Sequence, residues 1–260
     1  MPGYKDWIDA IDIEVDYFSA FMKAWIAFNA WYNNSGEIPA GTDKDCIEYI
    51  ADKTNRFKTY INNLITAETS EGNIFRENVA ALHAALSVAA ITTQEYLGTR
   101  QPISFSNVAV KNSNNHEKIE FRNVRYECTR SHGKTKIVVT DTRSGTIVLN
   151  YEQDGYSEDA LLQQSDYKRL SSERQRKCIE CFRKLQPYEI ISILARDDRK
   201  IAFGMYNFIN DPGRISSSIT IILYMLRCCL AHGDISPDNA SKNVYHYAYE
   251  VLCAPLRKLK

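Results

Sequence analysis

The segment Leu223–Asn239 (LYMLRCCLAHGDISPDN) concentrates residue types that can do chemistry. Arg227 and His232 lie five positions apart at the end of a very apolar run, and Gly233 follows them. An imidazole titrates near neutral pH, so it can move a proton to or from a ribose hydroxyl. A guanidinium can bind phosphate oxygens through two parallel hydrogen bonds and stabilise negative charge in a transition state. The pair thus has the two groups that phosphodiester chemistry without a metal ion requires, although its spacing alone also fits a structural role.

The same segment also matches the His-x-Asp-x-x-x-x-Asn pattern of a kinase catalytic loop, through His232, Asp234 and Asn239. A kinase needs in addition a second metal-binding Asp downstream and a lysine on an upstream strand. Only 21 residues follow Asn239 and none of them is Asp. We therefore interpret Asp238 and Asn239 as first-turn residues of a last helix, not as parts of a kinase site.

The helix that carries Arg227 and His232 is predicted over Ser216–His232. It is apolar on almost every side, which is typical of a helix at the centre of a bundle. Gly233 is a good helix terminator, Ser236 can cap the next helix, and Pro237 suits its first position.

Helical periodicity also dominates the N-terminal third. Residues 5–33 carry aromatic residues at spacings of three, four and seven, which predicts an amphipathic helix. Asp43 can cap a second helix whose apolar side continues to Leu64, and an Ala-rich third helix is predicted from Ile74 to Leu97.

Between the helical regions the period changes from helix to strand. KIEFRNVRYECT, KTKIVVTDT and GTIVLNYE alternate apolar with polar residues over 117–153, and SHGK and RSG separate them. This predicts a three-stranded antiparallel meander. Helical spacing returns at Ala160–Leu185, and shorter helical pieces are predicted as far as Gly213.

RCCLAHG, placed between two terminal helices, resembles the Arg-x4-6-His motif of HEPN domains, the higher-eukaryote and prokaryote nucleotide-binding helical bundles. WIAFNAWYN in the first helix is similar to the aromatic, Asn-containing first helix of some bacterial HEPN families. The resemblance implies a mainly α fold: a single HEPN-like helical bundle over 1–260 with an inserted three-stranded β-meander at 103–156.

What the resemblance implies about function is specific. HEPN ribonucleases are metal-independent endoribonucleases, in which the 2′-hydroxyl attacks the adjacent phosphate and leaves a 2′,3′-cyclic phosphate. Two motifs face each other across a homodimer. Arg227 and His232 are then the catalytic residues, and Asn29 and Asp234 are supporting residues. The expected partners are RNA, a second copy of the chain, and an antitoxin or phage-sensing protein, in a bacterial toxin or antiphage role without a cofactor.

Two alternatives stay open at this point. Arg227 can instead pair with an acidic residue of the first two helices, and His232 can cap the C-terminus of its own helix. The corresponding function is that of a non-catalytic HEPN-like module that binds RNA or protein.

Charge divides unevenly along a chain whose net charge is zero. Residues 1–100 carry 8 basic and 14 acidic side chains, so the remaining residues carry 24 basic and 18 acidic ones. An anionic partner should therefore meet the C-terminal part. Within it, the basic residues Arg174, Arg176 and Lys177 are predicted to bind RNA phosphates, and a solvated helix face is the alternative.

Seven cysteines, an odd number with Cys228 and Cys229 adjacent, indicate reduced thiols in a cytoplasmic protein. Cys178 and Cys181 form one CxxC with no second pair or histidine at ligand spacing, so we expect helix packing there and not zinc. Neither a signal peptide nor a membrane span is expected.

Overall fold

The computed structural model describes residues 16–93, 101–196 and 199–260, and it divides the chain into two compact units. One unit comprises Met1–Val110 and Ile190–Lys260, and the other comprises Lys111–Glu189. The elements along the chain are α1 (Tyr17–Asn34), α2 (Asp43–Asp52), α3 (Arg56–Thr66), α4 (Ser70–Ala89), β1 (Val108–Lys111), β2 (His116–Phe121), β3 (Val124–Ser131), β4 (Lys134–Asp141), β5 (Ile147–Asp154), α5 (Glu158–Leu162), α6 (Ser165–Lys168), α7 (Ser172–Arg183), β6 (Tyr188–Ile191), β7 (Lys200–Phe203), β8 (Tyr206–Ile209), α8 (Pro212–His232) and α9 (Asn239–Leu256).

The first helix buries its aromatic side, as its periodicity predicts. Phe21, Trp25, Phe28 and Tyr32 are all buried, and Asp16 caps the helix by accepting backbone N–H groups. The predicted helical residues 5–15 lie outside the described residues.

The predicted second helix is two helices. Asn55 caps α3, because its side-chain oxygen accepts the backbone N–H of Lys58 at 2.9 Å. Its amide nitrogen donates to the carbonyls of Ile50 and Lys53, both at 2.9 Å, and so satisfies the end of α2. One asparagine thus serves both helix ends, and a break forms where the apolar pattern suggested continuity.

The predicted third helix begins earlier and ends earlier than expected. α4 runs over Ser70–Ala89, and Ala90 terminates it with a left-handed backbone at φ 48°. The predicted residues 94–97 lie outside the described residues.

The central helix is confirmed. α8 buries residues along nearly its whole length, and α2 and α3 pack against it, while α9 packs on α4 and α1. By length and composition α8 is apolar enough to cross a membrane, but 61% of that apolar window is buried inside the protein. Such burial is typical of a soluble protein's core helix.

The sheet of the second unit has four strands, in the order β2-β3-β4-β5, all antiparallel. The segment KIEFRNVRYECT is not one strand. Arg122 and Asn123 both have positive φ, 46° and 57°, which makes a tight two-residue turn and folds the segment into the hairpin β2-β3. The prediction of a three-stranded meander is therefore wrong by one strand.

The predicted helical pieces before Gly213 are also wrong. Lys200–Phe203 and Tyr206–Ile209 form the antiparallel hairpin β7-β8, and Gly204 supplies the positive φ, 56°, that its turn requires. β1 and β6 pair with each other and contain the two points where the chain passes between the units.

These strands change the fold class. Of the residues that the structure describes, about 50% are helical and 21% lie in strands, an α+β mixture. The prediction of a mainly α bundle with a small β-meander is therefore wrong, because short strands of four residues leave almost no periodic signal.

The second unit has a hydrophobic core of its own. α7 packs on β2 and β3, and the core side chains include Tyr126, Ile137, Val139 and Phe182. The unit spans Lys111–Glu189 and so contains α5, α6 and α7 as well as the sheet, whereas the predicted insertion covered 103–156.

Candidate functional site

The end of α8 is shaped by its cap. Gly233 takes a left-handed conformation at φ 72°, and its N–H donates to the carbonyls of Cys229 and Leu230. The N–H of Asp234 donates to the carbonyl of Cys229 at 2.9 Å. This is the hydrogen-bond pattern of a Schellman-type ending, which satisfies the last carbonyls and leaves His232 as the final helical residue.

Arg227 lies one turn and a half before that end and is anchored to α2. Its Nη2 is 2.9 Å from Oδ2 of Asp43, and the two side chains are 26% and 34% exposed. Its Nε is buried and has no hydrogen-bond partner. Asp43 thus engages one nitrogen of the guanidinium at the edge of the core.

The second carboxylate oxygen of Asp43 accepts two hydrogen bonds from side chains of α1. Oδ1 accepts from the Tyr32 hydroxyl at 3.0 Å and from Nδ2 of Asn29 at 3.2 Å. Nδ2 of Asn29 also lies 2.6 Å from the Tyr32 hydroxyl. We call Asn29, Tyr32, Asp43 and Arg227 the arginine anchor.

The protonation state of Tyr32 suits this role. Burial, together with the hydrogen bond to the Asp43 carboxylate, raises the pKa of Tyr32 well above its ordinary value of 10.0. The phenol therefore stays protonated at neutral pH and remains a donor to Asp43. Because a carboxylate only accepts hydrogen bonds, the two donors from α1 and the guanidinium from α8 together orient it.

Local sequence places the carboxylate at this point. Thr42 caps α2, and Thr42 and Asp45 exchange side-chain-to-backbone hydrogen bonds in a capping box. Asp43, expected to be the cap, is instead the first helical residue, so its side chain is free of the capping role and can reach Arg227.

His232 has a different environment from Arg227. It is exposed, and within the described part of the chain it makes neither a hydrogen bond nor an ion pair. The ring does not cap α8, since the N–H groups of Gly233 and Asp234 take the terminal carbonyls. The imidazole is therefore open to solvent and to a ligand.

The structure brings together only some of the predicted site residues. Arg227 and Asn29 meet through Asp43, which makes Asn29 both a satisfied amide and a neighbour of the motif. No described contact joins Arg227 to His232, which lie about 140° apart around an ideal helix. Asp234 contributes its backbone N–H to the helix ending and is exposed.

The alternative in which Arg227 pairs with an acidic residue of the first two helices is the one that the structure shows, at Asp43, but the sequence analysis named neither Asp43 nor Tyr32 as a site residue. Tyr32 follows Asn29 by three positions, so the two share a helix face, and that spacing was a usable signal. The pairing of Asp43 with Arg227 joins residues 184 positions apart in the chain, and no local sequence pattern predicts which acidic residue Arg227 meets.

The predicted RNA-binding residues lie on α7 in the second unit and differ from one another. Arg174 is 3.7 Å from Asp141, and Nζ of Lys177 is 2.7 Å from Glu180. Arg176 is exposed and makes no hydrogen bond or ion pair with any residue that the structure describes.

The CxxC cysteines also lie on α7 and point into the core. Cys178 and Cys181 are fully buried, and Sγ of Cys181 donates to the carbonyls of Tyr126 and Glu117. Burial raises the pKa of the Cys178 thiol to about 12. A thiol that stays protonated is a poor metal ligand, so the arrangement is that of packing.

All seven cysteines are free. Among residues 16–93, 101–196 and 199–260, no group of three or more His, Cys, Asp or Glu side chains could hold a metal ion.

No protein-family model, no curated protein and no solved structure matches this chain.

Proposed function

We propose that this protein is a metal-independent endoribonuclease in which His232 transfers protons and Arg227 binds the scissile phosphate. The observation that carries the proposal is the contrast between the two side chains. Arg227 is positioned by the arginine anchor, whereas His232 is exposed and has no partner in the described chain. A fixed cation and a free imidazole at the end of the same helix are the two groups that attack by a 2′-hydroxyl requires.

The ion pair with Asp43 leaves Arg227 capable of binding phosphate. A guanidinium has five N–H donors, and the 2.9 Å contact to Asp43 is made by Nη2. Nε is buried, so the donors left for a phosphate oxygen are those on the two terminal nitrogens of this partly exposed side chain. Asp43 therefore fixes the orientation of the guanidinium and need not be displaced when a phosphate oxygen approaches.

The reaction class follows from these two groups. His232 in its neutral form removes the proton of the 2′-hydroxyl, the hydroxyl oxygen bonds to the adjacent phosphorus, and the 5′-oxygen leaves with a proton from an acid. The products are a 2′,3′-cyclic phosphate and a 5′-hydroxyl. Arg227 stabilises the charge on the non-bridging oxygens.

A homodimer would supply the second acid–base group. Two motifs across a two-fold axis provide one histidine as base and another as acid, with two arginines on one phosphate. We propose this form as the active one. A cytoplasmic location fits the seven reduced cysteines. A toxin or antiphage role, with an antitoxin or phage-sensing partner, rests on the HEPN resemblance alone.

The Arg227–Asp43 pair favours one alternative function. Asp43 neutralises Arg227, so the ion pair by itself explains why an arginine stands at this position. The chain would then be a non-catalytic HEPN-like module that binds RNA or protein. In that case His232 is a solvent-exposed helix-end residue with no catalytic part.

Cleavage of a labelled single-stranded RNA tests the proposal. We expect His232→Ala to slow cleavage by about 10² to 10⁴ while the protein stays folded, because only an exposed helix-end side chain is removed. His116→Ala removes an exposed histidine of the second unit and should cleave like wild type. Mass spectrometry of the products should show a 2′,3′-cyclic phosphate.

Excess chelator should leave the rate unchanged, since the proposed chemistry uses no metal ion. Wild-type cleavage by the folded His232→Ala protein would remove His232 from the mechanism and favour the binding module.

A further inference from the structure

The outer side of α7 carries an open depression in the second unit. The side chains that line it, at positions 176, 179, 180, 183 and 184, form one face of the helix at spacings of three and four. The opposite face of α7 packs into the core through Cys178, Cys181 and Phe182. We call the outer face the α7 ridge: Arg176, Ile179, Glu180, Arg183 and Lys184.

Many of the basic side chains of this unit are neutralised by neighbours. Both Nε and Nη2 of Arg183 bind Glu158, at 2.8 and 2.6 Å. Glu180, the carboxylate of the ridge, is paired with Lys177 at 2.7 Å. The paired groups therefore add little net charge at the surface.

Arg176 and Lys184 are the exceptions on this helix. Both are exposed, and neither makes a side-chain hydrogen bond or ion pair with any residue the structure describes. A position at the helix C-terminus favours a lysine at 184 through the helix dipole, but Arg176 lies in the second turn, where the dipole offers nothing to a cation. Both cations lie one helical turn from Glu180 and help to lower the pKa of that carboxyl, but the ridge still has three basic side chains, Arg176, Arg183 and Lys184, against this one carboxylate.

The charge of the whole unit has the same sign. Residues 111–189 carry 15 Lys and Arg against 12 Asp and Glu, so their net charge is +3, and the rest of the chain carries −3. An anionic polymer is therefore attracted to the second unit more than to the first.

We infer that the α7 ridge binds the phosphodiester backbone of single-stranded RNA through Arg176 and Lys184. The inference deepens the proposed ribonuclease function and rests on it for the choice of RNA. Eight residues of α-helix place the two side chains about 12 Å apart along the axis, so they engage different phosphates of one strand.

A nucleic-acid strand fits the ridge better than an acidic protein. A stable protein interface needs about 800 Å² on each partner, and the depression is formed by five side chains of a single helix. A strand needs only spaced cations along its backbone, because phosphate contacts release counterions and so supply affinity by themselves.

The inference also changes which residues of α7 are expected to bind RNA. Of the three residues that the sequence indicated, Arg174 and Lys177 already have carboxylate partners, and only Arg176 is unpaired. Lys184 is the second expected phosphate contact, because it lies on the same helix face as Arg176, two turns further on.

RNA affinity measured without cleavage tests this surface. Every protein carries His232→Ala, and fluorescence anisotropy of a labelled twelve-nucleotide single strand is followed across a series of KCl concentrations. With about 0.7 counterions released per phosphate of a single strand, Arg176→Gln with Lys184→Gln should weaken binding about 25-fold at 0.1 M salt. The slope of log affinity against log salt should become shallower by about 1.4.

The matched control is Lys118→Gln with Lys134→Gln. These two exposed lysines lie on the face of the sheet opposite α7 and are paired with Glu120 and Glu152. The control removes the same net charge, so equal losses in both double variants would show a general charge effect and overturn the inference. Unchanged RNA binding in the ridge variant, or no RNA binding by the parent protein, would overturn it too.

The two proposals fail in different ways. A wild-type protein that binds RNA through Arg176 and Lys184 but never cleaves it would leave the ridge in place and refute the nuclease. A protein that cleaves RNA and binds it equally well without the two ridge cations would refute the ridge alone.

Discussion

At the scale of single residues, the arginine anchor joins three helices of the first unit, α1, α2 and α8, through one carboxylate. Asp43 accepts hydrogen bonds from Tyr32 and Asn29 of α1 and forms an ion pair with Arg227 of α8. Each of these donors would lose an acceptor if the carboxylate were removed, and an unpaired charge at the edge of a core is costly. Asp43 therefore stabilises the fold and orients the guanidinium with the same contacts.

We expect Asp43 and Arg227 to be energetically coupled. Asp43→Ala should lower the free energy of unfolding by about 1–3 kcal/mol, less than for a fully buried pair because both side chains are partly exposed. In a double-mutant cycle with Arg227→Ala, the two losses should fall short of additivity by about 1 kcal/mol. Urea unfolding followed by tryptophan fluorescence measures this.

Lys258→Gln is the control for that cycle, because Lys258 and Glu71 form a 2.9 Å pair between two well-exposed side chains, the kind of pair that contributes little. It should change the free energy of unfolding by less than about 0.5 kcal/mol. Strict additivity of the Asp43 and Arg227 losses would mean that the pair contributes nothing to stability.

At the scale of elements, the hairpin β7-β8 is joined to α4 by a buried histidine. His83 makes an edge contact with Tyr206 at 4.6 Å between ring centroids, and Phe105 and Phe208 also contact its ring. Its Nδ1 is buried without a hydrogen-bond partner. Burial lowers the pKa of His83 below its ordinary value of 6.5.

This burial predicts a loss of stability in acid. Below about pH 6.5 the unfolded chain binds a proton at His83 that the folded protein takes up only at lower pH, so protonation favours unfolding. The stability that the folded protein gains by keeping His83 neutral is fully present above pH 6.5 and is lost as the pH falls towards the lowered pKa of His83. His83→Leu should therefore lose less stability than wild type between pH 7 and pH 5.

Thermal unfolding at a series of pH values checks this effect. His232→Gln removes an exposed histidine and should keep the wild-type pH dependence. If His83→Leu follows the wild-type curve throughout the range, His83 is not the group responsible.

At the scale of the whole molecule, the two units have separate hydrophobic cores and opposite net charges. The first unit carries Arg227 and His232, and the second carries the α7 ridge. We propose that the first unit cleaves RNA and that the second unit binds the RNA strand.

The proposed dimer makes a prediction at this scale. Arg227→Ala and His232→Ala proteins, each inactive alone, should regain partial activity when mixed, because a shared site in the heterodimer receives one intact arginine and one intact histidine. RNA cleavage by the mixture, after subunit exchange confirmed by mass spectrometry, measures this. Full activity of wild type at concentrations where sedimentation detects only monomer would refute the shared site.

The sequence by itself determined the features that depend on neighbouring residues. The apolar run of α8 and its termination at Gly233 follow from composition and from the left-handed conformation that glycine permits. Two of the predicted strands, β4 and β5, follow from alternation over eight residues each. The turn at Arg122 and Asn123 was missed because neither residue is a glycine, although the signal for it is local.

Only the tertiary structure decided which charges are neutralised. Asp43 meets Arg227 because α2 packs on α8, and Arg174 meets Asp141 because α7 packs on the sheet. The same packing leaves the side chains of Arg176, Lys184 and His232 without a hydrogen bond or close ion pair in the described chain. A charge in the sequence shows that a partner is possible, but the partner is set by distances of a few ångströms between elements far apart in the chain, and those distances follow from how the cores pack.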